Sequence, residues 1–168
     1  MAQDGSGKTG PLTFLLISIG GGMRYVYPVR LEQDEDGAFV ASSRDVPEAL
    51  AEGTTTEEAL REMSNAMGAA LAGYSMEEGR AVPTPSGLDG GEHWVPVAPL
   101  VAAKLALRKA MIQEGISNVA LAERLGISET VVRRLVDPDH ASRLDRVVTA
   151  LEALGHGLII EDTPHCAA

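Results

Sequence analysis

Alternating apolar and polar positions predict a small sheet in the first half of the chain. Residues 24–31 alternate well enough for a strand, within which Pro28 favours an edge position or a bulge. The Asp-Gly pair that ends residues 34–37 predicts a hairpin turn, so residues 38–42 return as a second strand. Residues 49–53 and 94–97 are expected to add a short third strand and a last strand.

A helix is predicted between the third and last strands. Thr54, Thr55 and Thr56 precede two glutamates, and threonine caps followed by acids favour the start of a helix. Gly73 is expected at or near its end. The helix carries an apolar stripe, which comprises Ala59, Leu60, Met63, Ala66, Met67, Ala70 and Leu71. A loop rich in Pro and Gly follows over residues 81–91.

The second half of the chain has the 3.6-residue period of helices. Residues 100–114 predict a helix that Gly115 stops, and residues 144–154 predict another that ends at Gly155. A turn is expected over residues 137–140 between them, and residues 158–160 form an extended tail.

Two further short helices are predicted between residues 117 and 135. Leu121 and Leu125 lie on one face of the first helix, and Ala122 is small where a second helix must cross closely. Gly126 is placed to end this helix in a left-handed conformation, and Ser128 is placed to cap the next one. This spacing is typical of a helix-turn-helix.

The second of these short helices has an outward polar face. Val132 and Leu135 are expected to point inward. A helix that presents Arg and Thr in this way can lie in the major groove of DNA, although an ordinary helical hairpin is the alternative. We predict DNA contacts from seven residues, which are Ser117, Asn118, Ser128, Glu129, Thr130, Arg133 and Arg134.

The charge of the chain is divided unevenly. The formal net charge of −10 argues against a nucleic-acid partner at first sight. Residues 1–99 hold 6 Lys/Arg against 15 Asp/Glu, whereas residues 100–155 hold 8 against 7. Cations therefore accompany the helix-turn-helix, while the acidic front favours a basic protein as a second partner.

Residues 1–22 are expected to be a leader that is disordered or not native. Its apolar run, Leu12–Ile19, is too short to span a bilayer and has only Lys8 as a positive flank. The chain has 1 Cys, so no disulfide framework is possible. We therefore expect a cytoplasmic protein without a membrane partner.

The order of these elements resembles the HicB family of antitoxins, in the variant with a C-terminal helix-turn-helix. The resemblance extends over about residues 23–162. It is carried by the Asp-Gly hairpin, by Asp45-Val46-Pro47, by Glu52-Gly53-Thr54 before the helix, by the Val82–Ser86 loop, and by Ala150–Gly155. The chain departs from the family at Glu48, where Gly is usual, and at Ser43-Arg44, where an aromatic-Pro pair is common.

The resemblance implies an α+β protein with two domains. Residues 23–98 would form a small sheet-and-helix domain of partial RNase H-like fold that binds and blocks a HicA-like ribonuclease toxin. Residues 99–162 would form an all-α helix-turn-helix domain that represses the shared operon, and residues 163–168 would be a tail. A helix-turn-helix reads two half-sites, so a homodimer or larger oligomer is expected. We predict toxin contacts from the acids beside the hairpin and the next turn, which are Asp34, Glu35, Asp36, Asp45 and Glu48.

Two other classes of function are compatible with parts of the sequence. An RNase H-like fold suggests a two-metal nuclease, but three of the candidate carboxylates, residues 34–36, are consecutive in a turn, and the 4 His have no ligand spacing. We therefore predict no catalytic residue, metal or cofactor. The alternative is a stand-alone repressor whose front domain senses a small molecule, although few aromatic residues are present to line a pocket. A short basic open reading frame beside the gene would favour the antitoxin.

Overall fold

The computed structural model describes residues 22–77 and 80–161. The chain is an α+β protein with a four-stranded antiparallel sheet and five helices in this part. The elements are β1 (Val26–Gln33), β2 (Phe39–Ser42), β3 (Leu50–Gly53), α1 (Thr56–Met76), β4 (Glu92–Pro96), α2 (Pro99–Glu114), α3 (Asn118–Leu125), α4 (Glu129–Val136) and α5 (Leu144–Ala153). The predicted tail of residues 163–168, and all of the predicted leader except residue 22, lie outside the described residues. No described helix is long and apolar enough to cross a membrane.

The sheet has the strand order β3-β2-β1-β4. The predicted Asp-Gly hairpin joins β1 to β2, and Gly37 adopts the left-handed conformation with φ 87°. The carboxylate of Asp34 accepts hydrogen bonds from the backbone N–H groups of Asp36 (3.0 Å) and Ala38 (2.8 Å). Asp34 therefore builds the turn, because an aspartate that accepts from the N–H two residues on stabilises a reversal of the chain.

Pro28 has the edge position that is one of the two alternatives predicted for it, although β1 as a whole lies between β2 and β4. β2 pairs only with Arg30–Gln33, so the first half of β1 has just β4 beside it. The carbonyl of Tyr25 accepts from the N–H of Val97 (2.9 Å). Because this pattern alternates along an antiparallel pair, the backbone N–H and carbonyl groups of the odd-numbered residues of β1 face β4. The nitrogen of Pro28 faces the other side, where no described strand lies. The missing N–H therefore costs the sheet no hydrogen bond.

Helix α1 covers one face of the sheet. Its predicted start is confirmed, because the Thr55 hydroxyl accepts from the Glu58 N–H (3.2 Å), while the N–H (2.8 Å) and hydroxyl (2.6 Å) of Thr54 donate to the Glu58 carboxylate. Gly53 is required just before it, since a Cβ there would lie 2.4 Å from the Ala59 nitrogen. Gly73 does not stop the helix, which continues to Met76.

Helix α2 contributes to two hydrophobic cores. Leu105 is buried in the core between the sheet and α1, where Tyr27, Met63 and Leu71 also lie. Ala103 and Leu107 are buried in a second core with the last three helices. A chain cut before α2 would therefore leave part of the sheet core exposed to water.

Removal of residues 1–22 is expected to leave the melting temperature unchanged. The first described side chain that packs against the sheet core is Met23, so a chain beginning there keeps every described core contact. Thermal unfolding of the full and shortened chains, followed by circular dichroism, checks this. A fall of more than a few degrees would show that the apolar run 12–19 contributes to the core.

Candidate nucleic-acid and partner interfaces

Gly126 and Ser128 form the caps predicted for them, and Ser117 caps the start of α3. The Ser117 hydroxyl accepts from the Ala120 N–H (3.2 Å), and the Ser128 hydroxyl accepts from the Val131 N–H (3.4 Å). Gly126 ends α3 in the left-handed conformation with φ 65°, and the Ile127 N–H returns to the Ala122 carbonyl (3.0 Å). The short Gly-containing turn between the two helices thus follows from local chemistry.

Helix α4 turns its apolar and polar residues to opposite sides, as predicted. Val132 is fully buried and Leu135 is 4% exposed, so both anchor the helix in the second core. Thr130, Arg133 and Arg134 are exposed on the other side. The result is an outward strip of polar side chains that can donate hydrogen bonds to an acceptor-rich ligand.

The two arginines of this strip differ in their surroundings. The Arg133 guanidinium pairs with the Glu129 carboxylate one turn earlier (2.8 Å), although the Arg133 side chain stays 68% exposed. The Arg134 guanidinium makes no hydrogen bond or ion pair with any described residue. Ser117 and Ser128 use their oxygens as acceptors for helix caps, which leaves their O–H groups able to donate. Asn118 is half-buried at the start of α3.

Three cations of the second half of the chain donate hydrogen bonds to backbone carbonyls of the protein itself. The Nζ of Lys104, whose side chain is fully buried, donates to the carbonyls of Arg134 (3.1 Å), Asp137 (2.6 Å) and His140. Burial lowers the pKa of Lys104, and attraction to Asp137 and Asp139 opposes that shift. Arg108 and Arg124 also donate to backbone carbonyls. Because Lys104 is buried, the number of cations in the sequence overstates the number that a ligand would meet.

The acids predicted to contact a partner lie in two separate places. Asp34, Glu35 and Asp36 are exposed at the hairpin end of the sheet. Asp45 and Glu48 follow β2 and so lie at the opposite end of that strand. The single acidic patch implied by their nearness in sequence is not formed.

Asp45 holds the long loop before β4. Its carboxylate accepts from the Ser86 backbone N–H (2.8 Å) and from the Ser86 hydroxyl (2.8 Å). Neighbouring Arg44 donates to the Ser86 hydroxyl (3.0 Å) and the Gly87 carbonyl, and pairs with the Glu92 carboxylate. Asp45 is thus a structural residue of the Asp-Val-Pro turn, with its carboxylate turned toward the protein.

Glu48 is also bound within the protein. It accepts a hydrogen bond from the Tyr74 hydroxyl and pairs with Arg80, whose guanidinium lies 3.4 Å from the centre of the Tyr74 ring. The hydrogen bond from Arg80 holds the pKa of Glu48 below its usual range. The turn keeps its hydrogen bond from the Ala49 N–H to the Val46 carbonyl (2.9 Å), so Glu48 is accommodated where Gly is usual in similar sequences.

Two carboxylates that were not predicted from the sequence to contact a partner also lie at the hairpin end of the sheet. The register aligns Glu32 with Val40 and Val40 with Glu52, and both glutamates are exposed. Their carboxylates, like that of Glu35, make no hydrogen bond or ion pair with another described residue. The alternation of strand positions could have revealed this row, but only once the pairing of three strands was known.

Replacing Asp45 by alanine is expected to lower the free energy of unfolding by about 1–3 kcal/mol, because two donors of Ser86 lose a charged acceptor. Urea unfolding measures the loss. Asp36→Ala is the matched control, since the exposed Asp36 carboxylate bonds to no described residue, and its effect should stay within about 0.5 kcal/mol. Equal effects of the two substitutions would contradict the structural role of Asp45.

No group of three or more His, Cys, Asp or Glu side chains could hold a metal ion within residues 22–77 and 80–161. The carboxylates considered for a two-metal site, residues 34–36 and Asp45, lie at opposite ends of the sheet instead of converging.

The family model and the similar proteins that match this chain all describe HicB antitoxins. The family described as "HicB_like antitoxin of bacterial toxin-antitoxin system" matches residues 26–106. Antitoxin HicB 2 of Photorhabdus laumondii is 40% identical over 132 residues, which is 79% of this chain and 92% of that relative. Antitoxin HicB of Escherichia coli is 36% identical over 132 residues, or 79% of this chain and 95% of the relative. Antitoxin HicB of Pseudomonas fluorescens is 33% identical over 83% of this chain and 95% of its own length.

Proposed function

Since this chain belongs to the HicB-like antitoxin family of toxin–antitoxin systems, we propose that it neutralises a HicA-like ribonuclease toxin by direct binding and represses its own operon by binding operator DNA. The antitoxin role comes with the family. We propose three further points: the toxin is HicA-like, the chain binds operator DNA, and particular residues contact each partner.

The outward strip of α4 is the observation that carries the DNA-binding part. Val132 and Leu135 fix the helix in the core, so Thr130, Arg133 and Arg134 project from a rigid support. Arginine donates two hydrogen bonds to guanine in the major groove, and Arg, Thr and Ser also bind phosphates. A short helix with this strip, preceded by a Gly-containing turn and a second short helix, matches the recognition helix of a helix-turn-helix.

The hairpin end of the sheet supports the toxin-binding part. Glu32, Glu35 and Glu52 are exposed there without partners among the described residues. A ribonuclease must hold a polyanion, so its surface is basic, and unpaired carboxylates on the antitoxin would attract it. The proposed contact surface therefore comprises the hairpin and the adjoining row of Glu32 and Glu52, whereas Asp45 and Glu48 lie at the other end of β2, bound to Ser86 and Arg80.

Both partners of the proposed function place it in the cytoplasm. A helix-turn-helix protein reads two half-sites about one helical turn of DNA apart, so the active species is a homodimer or a larger homo-oligomer. Neither role requires a catalytic residue or a cofactor of this chain.

Co-expression with the product of the neighbouring gene tests the proposal most directly. We expect a short basic protein that co-elutes with this chain in size-exclusion chromatography and loses its ribonuclease activity in the complex. The purified chain alone should retard DNA from upstream of its own gene, with loss of binding as salt rises. A chain that retards this DNA but binds no neighbouring gene product would instead be the stand-alone repressor.

A further inference from the structure

The buried ammonium of Lys104 links the centre of α2 to the end of α4. Lys104 is fully buried, and its neighbours on α2 reach into both cores of the molecule, Leu105 toward the sheet and Ala103 toward the helices. A charged side chain is rarely buried without partners, because its transfer from water is costly. The position of Lys104 between the two cores therefore calls for a reason.

The partners of Lys104 all belong to the end of α4 and the turn that follows. Its Nζ donates to the carbonyls of Arg134 (3.1 Å), Asp137 (2.6 Å) and His140, which uses all three protons of the ammonium. These carbonyls include groups that a helix leaves without partners at its C-terminus, where a cation is also favoured by the helix dipole. Lys104 thus caps α4 from a different helix.

One of these carbonyls belongs to Arg134, a residue of the outward strip of α4. The carbonyl of Arg134 accepts from Lys104 and also from the Ser142 hydroxyl (3.1 Å). The side chain of Arg134 is exposed and bonds to no other described residue. The backbone of Arg134 is therefore held by two donors from within the protein while its guanidinium projects outward.

We propose that Lys104 is a positioning residue for operator binding, which holds the backbone of Arg134 so that the Arg134 guanidinium meets the DNA at a fixed depth and angle. The inference rests on the proposed DNA-binding function. Helix α4 has 8 residues, too few to be stable by itself, so its orientation depends on what its ends are tied to. Without Lys104, the end of α4 that carries Arg134 would lose its hydrogen bonds to α2 and would be held there only by the packing of Leu135 and Val136 in the second core.

A double-mutant cycle separates this role from a general contribution to folding. If Lys104 acts through Arg134, its loss matters only while the Arg134 side chain is present. If Lys104 only stabilises the domain, its loss weakens DNA binding by the same factor whether or not that side chain is present.

The experiment measures binding of the full chain to DNA from upstream of its own gene, for wild type, Lys104→Met, Arg134→Ala and the double variant. It is run at a temperature where circular dichroism shows each variant folded. We expect Lys104→Met to weaken binding about tenfold with Arg134 present and less than about twofold in the Arg134→Ala background, which lies within the usual range of coupling between contacting residues. Equal factors in both backgrounds would overturn the positioning role.

Two further variants keep the test decisive. Lys109→Met removes the same charge from the same helix, and Lys109 bonds to no described residue, so any effect should be equal in both backgrounds. Ser142→Ala removes the other donor to the Arg134 carbonyl without burying a charge. If Lys104→Met does not fold, a loss of binding by Ser142→Ala that disappears in the Arg134→Ala background supports the proposal, and an equal loss in both overturns it.

The outcomes also distinguish this inference from the proposed function. A wild-type chain that does not bind the DNA overturns DNA binding and the positioning role together. A wild-type chain that binds, with binding unaffected by Arg134→Ala, leaves DNA binding intact and overturns the role of Lys104 alone.

Discussion

Replacing Arg133 and Arg134 together by alanine is expected to abolish operator binding while the fold and toxin binding remain intact. Each lost contact to a base costs about 1–3 kcal/mol, so two contacts correspond to at least about 30-fold in affinity. Helix α4 should persist, because its burial depends on Val132, Leu135 and Val136 on the opposite side. The exposed Glu129–Arg133 pair that is lost contributes only a few tenths of a kcal/mol.

A mobility-shift titration against the upstream DNA measures this effect. The matched control is Arg24→Ala plus Arg61→Ala, which removes the same charge from exposed positions in the sheet-and-helix part of the chain. Both double variants lower the positive charge of the chain by the same amount, so the difference between them separates the position of the α4 arginines from an effect of net charge. Operator affinity unchanged from wild type would exclude α4 as the recognition helix.

Neutralising the hairpin end of the sheet is expected to slow association with the toxin by about tenfold at low salt. The substitutions are Glu32→Gln, Glu35→Gln and Glu52→Gln, whose carboxylates are exposed and unpaired among the described residues. Charges of this kind steer a basic partner during encounter, so they act mainly on the association rate. Their influence should fade as salt shortens the screening length.

Stopped-flow association across a salt series measures this rate for the full chain. A fragment that ends at Pro96 is unsuitable, because Leu105 of α2 belongs to the sheet core. The matched control replaces Glu114, Glu123 and Glu152 by Gln, which removes the same charge from exposed positions among the helices. Equal effects of the two triple variants would mean that the toxin responds to net charge alone, without a contact surface at the hairpin.

The predicted locations of the sheet, its first hairpin and all five helices agree with the structure. Most of these features depend on contacts between residues close in sequence. Thr55 reaches Glu58, Ser117 reaches Ala120, and Asp34 reaches Ala38, so the residue types at these spacings determine the outcome. The same holds for Gly126, because its conformation is favoured for glycine by local sterics.

The sequence alone predicted less well which ionised side chains are free to meet a partner. Asp45 binds Ser86, which is 41 residues away, and Glu48 binds Arg80, which is 32 residues away. Lys104 binds carbonyls that are 30 to 36 residues further along the chain. Such contacts depend on which segments the fold brings together, and a carboxylate or ammonium has the same sequence context whether it is free or bound. Local spacing thus determined the helices and their caps, whereas only the tertiary structure decided that Lys104 is buried beneath Arg134 and that Glu32 and Glu52 share the exposed end of the sheet.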